Sequence, residues 1–196
     1  MTVLQYFHHI DQDVTLVLNS MGSPVTDWLW QVFSDRFVWI PFYALIFYFF
    51  VRRMGWKKAL VAAAACALAF LACDQLGSLV KNSVQRLRPC WDMNMVGRGL
   101  RVLEAKGGQY GFYSSHAANT AAFALCSLKL FRAFAPPRRY RGYAWGVFVW
   151  VLMVGMSRVF VGKHFLGDVL TGFVVGIVIG YAMAELARFA AGRFSL

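Results

Sequence analysis

At 196 residues, with 59% hydrophobic and only 15% charged side chains, the chain is too apolar for a soluble domain and too short for a membrane bundle carrying a separate soluble module. The formal net charge of +11 would suit a nucleic-acid partner. The basic residues lie between apolar stretches rather than on a polar domain, which excludes that class and predicts one polytopic membrane domain, residues 1–196.

Taken in chain order, Val3 to Leu18 carries apolar residues at roughly helical spacing, interrupted by His8, His9, Asp11 and Asp13, and is expected to be an interfacial amphipathic helix. The first Lys or Arg is Arg36, so no secretory leader is expected and the N-terminus is expected to be retained. Five spans follow, at about residues 36–51, 59–83, 115–134, 142–160 and 164–189. The fold class is therefore all-α, an integral membrane bundle of about five transmembrane helices plus the N-terminal interfacial helix. Cys66, Cys73 and Cys126 fall inside spans and only Cys90 lies in a polar loop, so neither a disulfide nor a metal cluster is expected.

Short loops rich in Lys and Arg stay on the cytoplasmic side of a membrane. Arg52, Arg53, Lys57 and Lys58 follow the first span, Arg138, Arg139 and Arg141 the third, and Arg188 and Arg193 end the chain. With those regions inside, the N-terminus, the loop from Arg88 to Tyr113 and the link between the last two spans lie outside. The chemistry-bearing residues cluster at that outer face: Lys81 with Arg88-Pro89, then Ser114-Ser115-His116, then Arg158, His164 and Asp168.

Lys81 and Arg88 are two helical turns apart and project to one side if the second helix continues to Pro89, which would end it. Ser114 to His116 open the third helix, where Ser114 can cap and the free N–H groups suit a phosphate oxyanion. His164 and Asp168 share a helix face, so the carboxylate can fix the imidazole tautomer. Arg158 and His164 are six apart, and Gly162 offers the break that brings them together.

These residues resemble the type 2 phosphatidic acid phosphatase superfamily of membrane lipid phosphatases, which shares its site with vanadium haloperoxidases. The resemblance covers about half the chain, from Lys81 to Asp168. Lys81, Arg88 and Pro89 match the first motif, Tyr113 to His116 the second, and Ser157, Arg158, His164 and Asp168 the third. Two positions depart from the second motif, Tyr113 standing for Pro and Ser115 for Gly.

The resemblance implies that His164 attacks phosphorus to give a phosphohistidine, that Asp168 stabilises the resulting imidazolium, and that His116 protonates the leaving oxygen and later activates water. Lys81, Arg88, Arg158 and the N–H groups of Ser114 and Ser115 would surround the phosphate oxygens. No metal or other cofactor is needed, and activity is expected to persist in chelator. The substrate is a lipid phosphate, with undecaprenyl diphosphate favoured and lipid A or phosphatidylglycerol phosphate as alternatives. Phosphotransfer to another lipid and a non-catalytic anion-binding protein are the remaining readings. A bacterial inner membrane, with the site on the periplasmic side and the C-terminus in the cytoplasm, is the expected setting. Membrane lipids are the expected partners, nucleic acid is not, and the oligomeric state stays open.

The other polar residues receive structural readings. Asp74, inside the second span, is expected to hold Lys81 or nearby polar groups such as Gln75 and Ser78. Arg86, Arg98, Arg101, Lys106 and Lys163 read mostly as headgroup contacts, and His8 and His9 as headgroup-level surface residues. Trp28, Trp39, Trp56, Trp91 and Trp145 read as an aromatic belt.

Overall fold

The computed structural model describes residues 2–136 and 139–193, so Arg138 lies outside the described residues. Among these, all regular structure is helical: α1 (Val3–Ser20), α2 (Pro24–Ser34), α3 (Ile40–Met54), α4 (Trp56–Val84), α5 (Met93–Gly97), α6 (Ser115–Phe134), α7 (Arg141–Phe160) and α8 (Leu166–Arg193). Helix α2 and the short α5 were not expected from the sequence.

Four segments are long and apolar enough to cross a bilayer unaided: Phe37–Met54, Trp56–Val84, Arg141–Phe160 and Leu166–Arg193. At about 1.5 Å per residue, the 29 residues of α4 exceed the roughly 30 Å hydrocarbon core and carry Lys81 beyond it. The remaining expected span, the third in chain order, is α6, the least apolar because it carries His116, Asn119, Thr120, Lys129 and Arg132. It tolerates them because it is the inner helix, packed against α4, α7 and α8 rather than against lipid.

The closest pairing, α6 on α8, depends on small residues. Gly172, Gly176 and Gly180 repeat every four residues along one face of α8, and a Cβ on any of them would strike the carbonyl oxygen of Ser114, Ala118 or Ala122 in turn. Backbones that approach this closely gain dispersion contacts where lipid offers no hydrophobic drive. On the other flank, Phe42 and Tyr43 of α3 interlock with Phe70 of α4, Phe123 of α6 and Trp150 of α7. Trp39 joins this cluster against Trp150, so it belongs to the core rather than to a belt, whereas Trp28, Trp56 and Trp145 are exposed.

Helix α1 is amphipathic in the inverted sense. Its buried face is polar: Gln12 donates to Asp92, Thr15 accepts from the Leu166 N–H, and the Asn19 amide donates to the carbonyls of Arg101, Val159 and Phe160. Its exposed face carries Val3, Phe7, Ile10, Val14 and Val17. Polar pairing with the protein, and not burial of its apolar stripe in the protein, docks this helix.

The chain leaves α4 earlier than the proline implies. Gln85 takes a left-handed conformation (φ 52°) and closes the helix at Val84, because Arg86 and Leu87 turn to pair with the returning strand of the loop. There Leu87 bridges Tyr110, the Arg88 N–H donates to the Gln109 carbonyl (3.0 Å) and the Gly111 N–H donates to the Arg86 carbonyl (2.9 Å). Pro89 instead opens a 3-10 turn, Pro89–Trp91.

Candidate active site

A cavity of about 420 Å³ opens between the ends of α4, α6 and α7, and its lining includes Lys81, Arg88, Ser115, His116, Arg158 and His164. Residues from three separate motifs thus meet in one hollow.

Each is held by local structure. Lys81, in the last turn of α4, donates from Nζ to the Ser115 hydroxyl at 2.6 Å. Ser115 is the first helical residue of α6, so the side chain that stands where the family pattern has glycine fits an ordinary helical conformation. Tyr113, the other departure, is 2% exposed and donates its hydroxyl to the Cys73 carbonyl at 3.0 Å, tying the start of α6 to α4. Arg88 donates from Nε to the Tyr110 carbonyl (3.1 Å), which leaves both terminal nitrogens for a ligand.

Arg158 ends α7 almost wholly buried. Its Nη1 reaches the Ser34 hydroxyl and carbonyl and lies 3.5 Å from Glu104, while Nε has no hydrogen-bond partner among the described residues. Gly162 (φ 77°) then lets the chain fold back, so that the N–H groups of Lys163 and His164 both donate to the Arg158 carbonyl. That wrap brings two residues six apart to one point, as the glycine predicts.

His164 is 2% exposed, and its Nδ1 lies 3.5 Å from Asp168 Oδ2. It precedes α8 rather than lying on it, so the two side chains meet across the first turn and not along a helix face. With Nδ1 facing the carboxylate, Nε2 is the ring nitrogen left for a substrate. Burial first, then the positive charges of Arg158, Arg88 and Lys81, hold the His164 pKa well below its ordinary value, so the ring is neutral at pH 7. Asp168, at 0% exposure, accepts from Arg86 Nη1 on Oδ1 (2.7 Å) and from the Phe165 N–H on Oδ2 (3.1 Å).

Ser114 does not serve the cavity. Its N–H donates to the Asp168 carbonyl (3.0 Å) and its hydroxyl caps the Ala117 N–H, so it joins α6 to α8. The free donors at the helix start are those of Ser115 and His116. Asp74 lines the cavity and accepts from Asn119 Nδ2 (2.9 Å), whereas the Lys81 ammonium is committed to Ser115.

Several basic residues expected at lipid headgroups are instead paired. Arg86 bridges Asp168 and Asp11, Arg98 reaches Asp13 (2.6 Å), Arg101 pairs with Asp27, Lys163 donates to the Ala105 carbonyl, and Lys106 sits over the Trp91 ring. Acids on α1 and α2 reach across to neutralise the loop. His8 is likewise inward: half-buried, it contacts Arg86 and packs edge-on against Phe165.

Gly111 reads in the sequence only as one of the loop glycines before α6, not as a site residue. A Cβ there would stand 2.9 Å from Arg88 Cγ, 3.3 Å from Asp168 Oδ2 and 3.5 Å from His164 Nδ1, so the loop passes directly against these three side chains. Arg36, Asn119 and Thr120 were also missed, although they line the same cavity. Nothing in their spacing sets them apart from ordinary span residues.

Three cations, a neutral buried imidazole backed by a carboxylate, a second imidazole and a helix N-terminus can bind a tetrahedral oxyanion and transfer it. Among the described residues no group of three or more His, Cys, Asp or Glu is placed to hold a metal ion, and the positive charge comes from side chains.

Comparison with known proteins agrees with this chemistry. The PAP2 superfamily profile matches residues 58–190. The chain is 28% identical over 192 residues to the lipid A 4'-phosphatase of Porphyromonas gingivalis, covering 97% of this chain and 78% of that protein. It is 30% identical over 188 residues to the lipid A 4'-phosphatase of Bacteroides thetaiotaomicron, covering 95% and 80%. Similarity to the undecaprenyl-diphosphatase BcrC of Bacillus subtilis is less extensive, 28% over 158 residues, or 77% of this chain and 73% of that one. Among solved structures, the transmembrane PAP2-type phosphatidylglycerolphosphate phosphatase of Bacillus subtilis shares the fold with a TM-score of 0.74 at 18% identity, covering 92% of this chain and 86% of that one.

Proposed function

We propose that this chain, which belongs to the PAP2 superfamily and is an integral membrane lipid phosphatase, removes a phosphate monoester from a lipid A-type glycolipid. The observation that carries the substrate is the pair of lipid A 4'-phosphatases aligned along nearly the whole chain. The polyprenyl diphosphate favoured by the sequence has weaker support, since the relative of that specificity aligns over a shorter stretch. The cavity accommodates this choice: beyond Lys81, Arg88 and Arg158 it is lined by Arg36, Asp74, Asn119 and Thr120, which can pair with sugar hydroxyls, and by the apolar Trp39, Tyr43, Phe70 and Val154.

The geometry supports the following reaction. The phosphate docks among Lys81, Arg88 and Arg158, with the N–H groups of Ser115 and His116 at its oxygens. Neutral His164 attacks phosphorus through Nε2, the bond to the sugar oxygen breaks, and His116 donates a proton to that oxygen. Asp168 stabilises the imidazolium of the phosphohistidine. Water, deprotonated by His116, then hydrolyses the P–N bond to release phosphate and return His164 to its neutral form.

Charge supports an outer-leaflet site. The short connections and the helix end away from the cavity carry Arg52, Arg53, Lys57, Lys58, Arg139, Arg141, Arg188 and Arg193. That end faces the cytoplasm, with the C-terminus, and the site faces the periplasm of a bacterial inner membrane.

The test is phosphate release in detergent from lipid A, undecaprenyl diphosphate, phosphatidylglycerol phosphate and phosphatidic acid, with Asn119→Leu beside the wild type. The proposal expects the highest kcat/KM on lipid A and a loss on that substrate alone in the variant. A wild-type preference for undecaprenyl diphosphate would overturn it.

A further inference from the structure

Arg86 lies outside the three motifs, yet it makes the shortest contact that the Asp168 carboxylate has. It follows the left-handed Gln85, where the loop pairing fixes its backbone. Its guanidinium lies over the Phe165 ring, 4.1 Å from the centroid. From there Nη1 donates to Asp168 Oδ1 at 2.7 Å and Nη2 to Asp11 Oδ2 at 2.7 Å, with His8 Nδ1 at 3.2 Å from Nη2. The second Asp11 oxygen accepts from the Gly167 N–H (2.8 Å), in the first turn of α8 beside Asp168 itself. Asp11 of α1 therefore holds both the arginine and the helix end on which the carboxylate sits. At Gly167 a Cβ would come within 2.7 Å of Asp11, so the bracket needs a residue without one.

We infer that Arg86, anchored by Asp11, is a positioning residue that keeps Asp168 ionised and turned toward His164. The inference rests on the roles given above to His164 and Asp168. A fully buried carboxylate without a counter-charge takes up a proton, and a neutral Asp168 cannot stabilise the imidazolium. Arg86 occupies Oδ1 and supplies that charge, while Oδ2, which accepts from the Phe165 N–H, is the oxygen that faces the imidazole at 3.5 Å. The charged and titratable groups around the relay are His8 and Asp11 on α1, Lys81 on α4, Arg86 and Arg88 on the loop, His116 on α6, Arg158 on α7 and His164 before α8. Burial, then Arg86, lowers the His8 pKa, so His8 accepts a hydrogen bond and adds no charge near neutral pH. The docking of α1 through its polar face thereby reaches the reacting histidine.

The experiment measures kcat, KM and their pH profiles for phosphate release from phosphatidic acid and lipid A in detergent, on Arg86→Met, Arg86→Lys and Asp11→Asn, with His164→Ala and Asp168→Asn as controls. Removing a fixed positive charge beside the Asp168–His164 pair makes the pair hold its proton to higher pH. Arg86→Met is expected to lower kcat about 10- to 100-fold with little change in KM, the range typical of groups that orient a reacting residue, and to move the acid limb of kcat/KM to higher pH. Arg86→Lys keeps the charge, so its acid limb stays near the wild type while kcat falls less. Asp11→Asn is expected to lower kcat severalfold, and it tests the anchor even where Arg86→Met does not fold. Wild-type kcat and acid limb in Arg86→Met, or wild-type kcat in Asp11→Asn, would overturn the inference. If the two control variants retained activity, the assignment of His164 and Asp168 would fail instead.

Discussion

Gly111 offers a steric test of the site that leaves its chemistry alone. Its φ is not positive, so alanine brings no backbone strain and the whole effect is the added methyl group. That methyl would lie 2.9 Å from Arg88 Cγ, 3.3 Å from Asp168 Oδ2 and 3.5 Å from His164 Nδ1. Carbon atoms rest at about 3.5–4.0 Å, so Arg88 or the loop must move by about 0.5–1 Å. Such overpacking costs about 1–3 kcal/mol of stability, and a shift of that size at reacting groups lowers turnover by up to about 100-fold. Gly108→Ala is the control, because its methyl would stand 3.9 Å from Arg88 Nη2, an ordinary contact. The assay is phosphate release in detergent at saturating lipid, with Tm recorded on the same preparations. Gly111→Ala is expected to lose about 10- to 100-fold in kcat while Gly108→Ala stays within about twofold. Equal activity of the two variants would refute the placement of this loop against Arg88, Asp168 and His164.

Four further outcomes follow. Because burial and neighbouring cations depress the His164 pKa, the acid limb of kcat/KM is expected well below pH 6.5; a midpoint at or above 6.5 would contradict a neutral buried nucleophile. The same depression means that the unfolded chain binds the proton more tightly, so Tm should fall as pH drops below about 6.5. Gly176→Leu must force α8 off the Ala118 carbonyl and should lower Tm more than Gly192→Leu, where a Cβ meets nothing; equal Tm values would refute the close helix contact. Ser114→Ala should cost about 1 kcal/mol of stability with KM unchanged, as the loss of a helix cap does, whereas Ser115→Ala removes the hydrogen bond that aims Lys81 and should lower kcat/KM about tenfold; the reverse pattern in lipid assays would refute the division of roles between the two serines.

The residues that meet at the candidate site were legible because each motif is short in sequence and each sits beside a feature that fixes its direction. Gly162 announced the fold-back that joins Arg158 to His164, and Ser114 announced the start of α6. Pro89 misled for a physical reason: a proline stops a helix at the latest, but the pairing of Arg86 and Leu87 with Tyr110 and Gly111 competes earlier and closes α4 at Val84. Periodicity located α1 as an interfacial helix, which agrees with its outward apolar face, but not the partners that dock its polar side. The partners of Arg86 lie 75 and 82 residues away, and the neighbours of Gly111 come from two other segments. Contacts of that separation leave no local trace in the sequence. Asn119 and Arg36 escaped for a related reason, because residues that line a cavity from several helices carry no common spacing.

The account stands on His164 as the group that takes the phosphoryl from the lipid. Rapid-quench labelling with a substrate carrying radioactive phosphate, followed by peptide mapping under alkaline conditions that preserve phosphohistidine, tests this directly in wild type and in His116→Ala, where hydrolysis of the intermediate is slowed. The account predicts label on His164 that accumulates in His116→Ala and is absent from His164→Ala. Label on another residue, or full turnover by a folded His164→Ala, would contradict it.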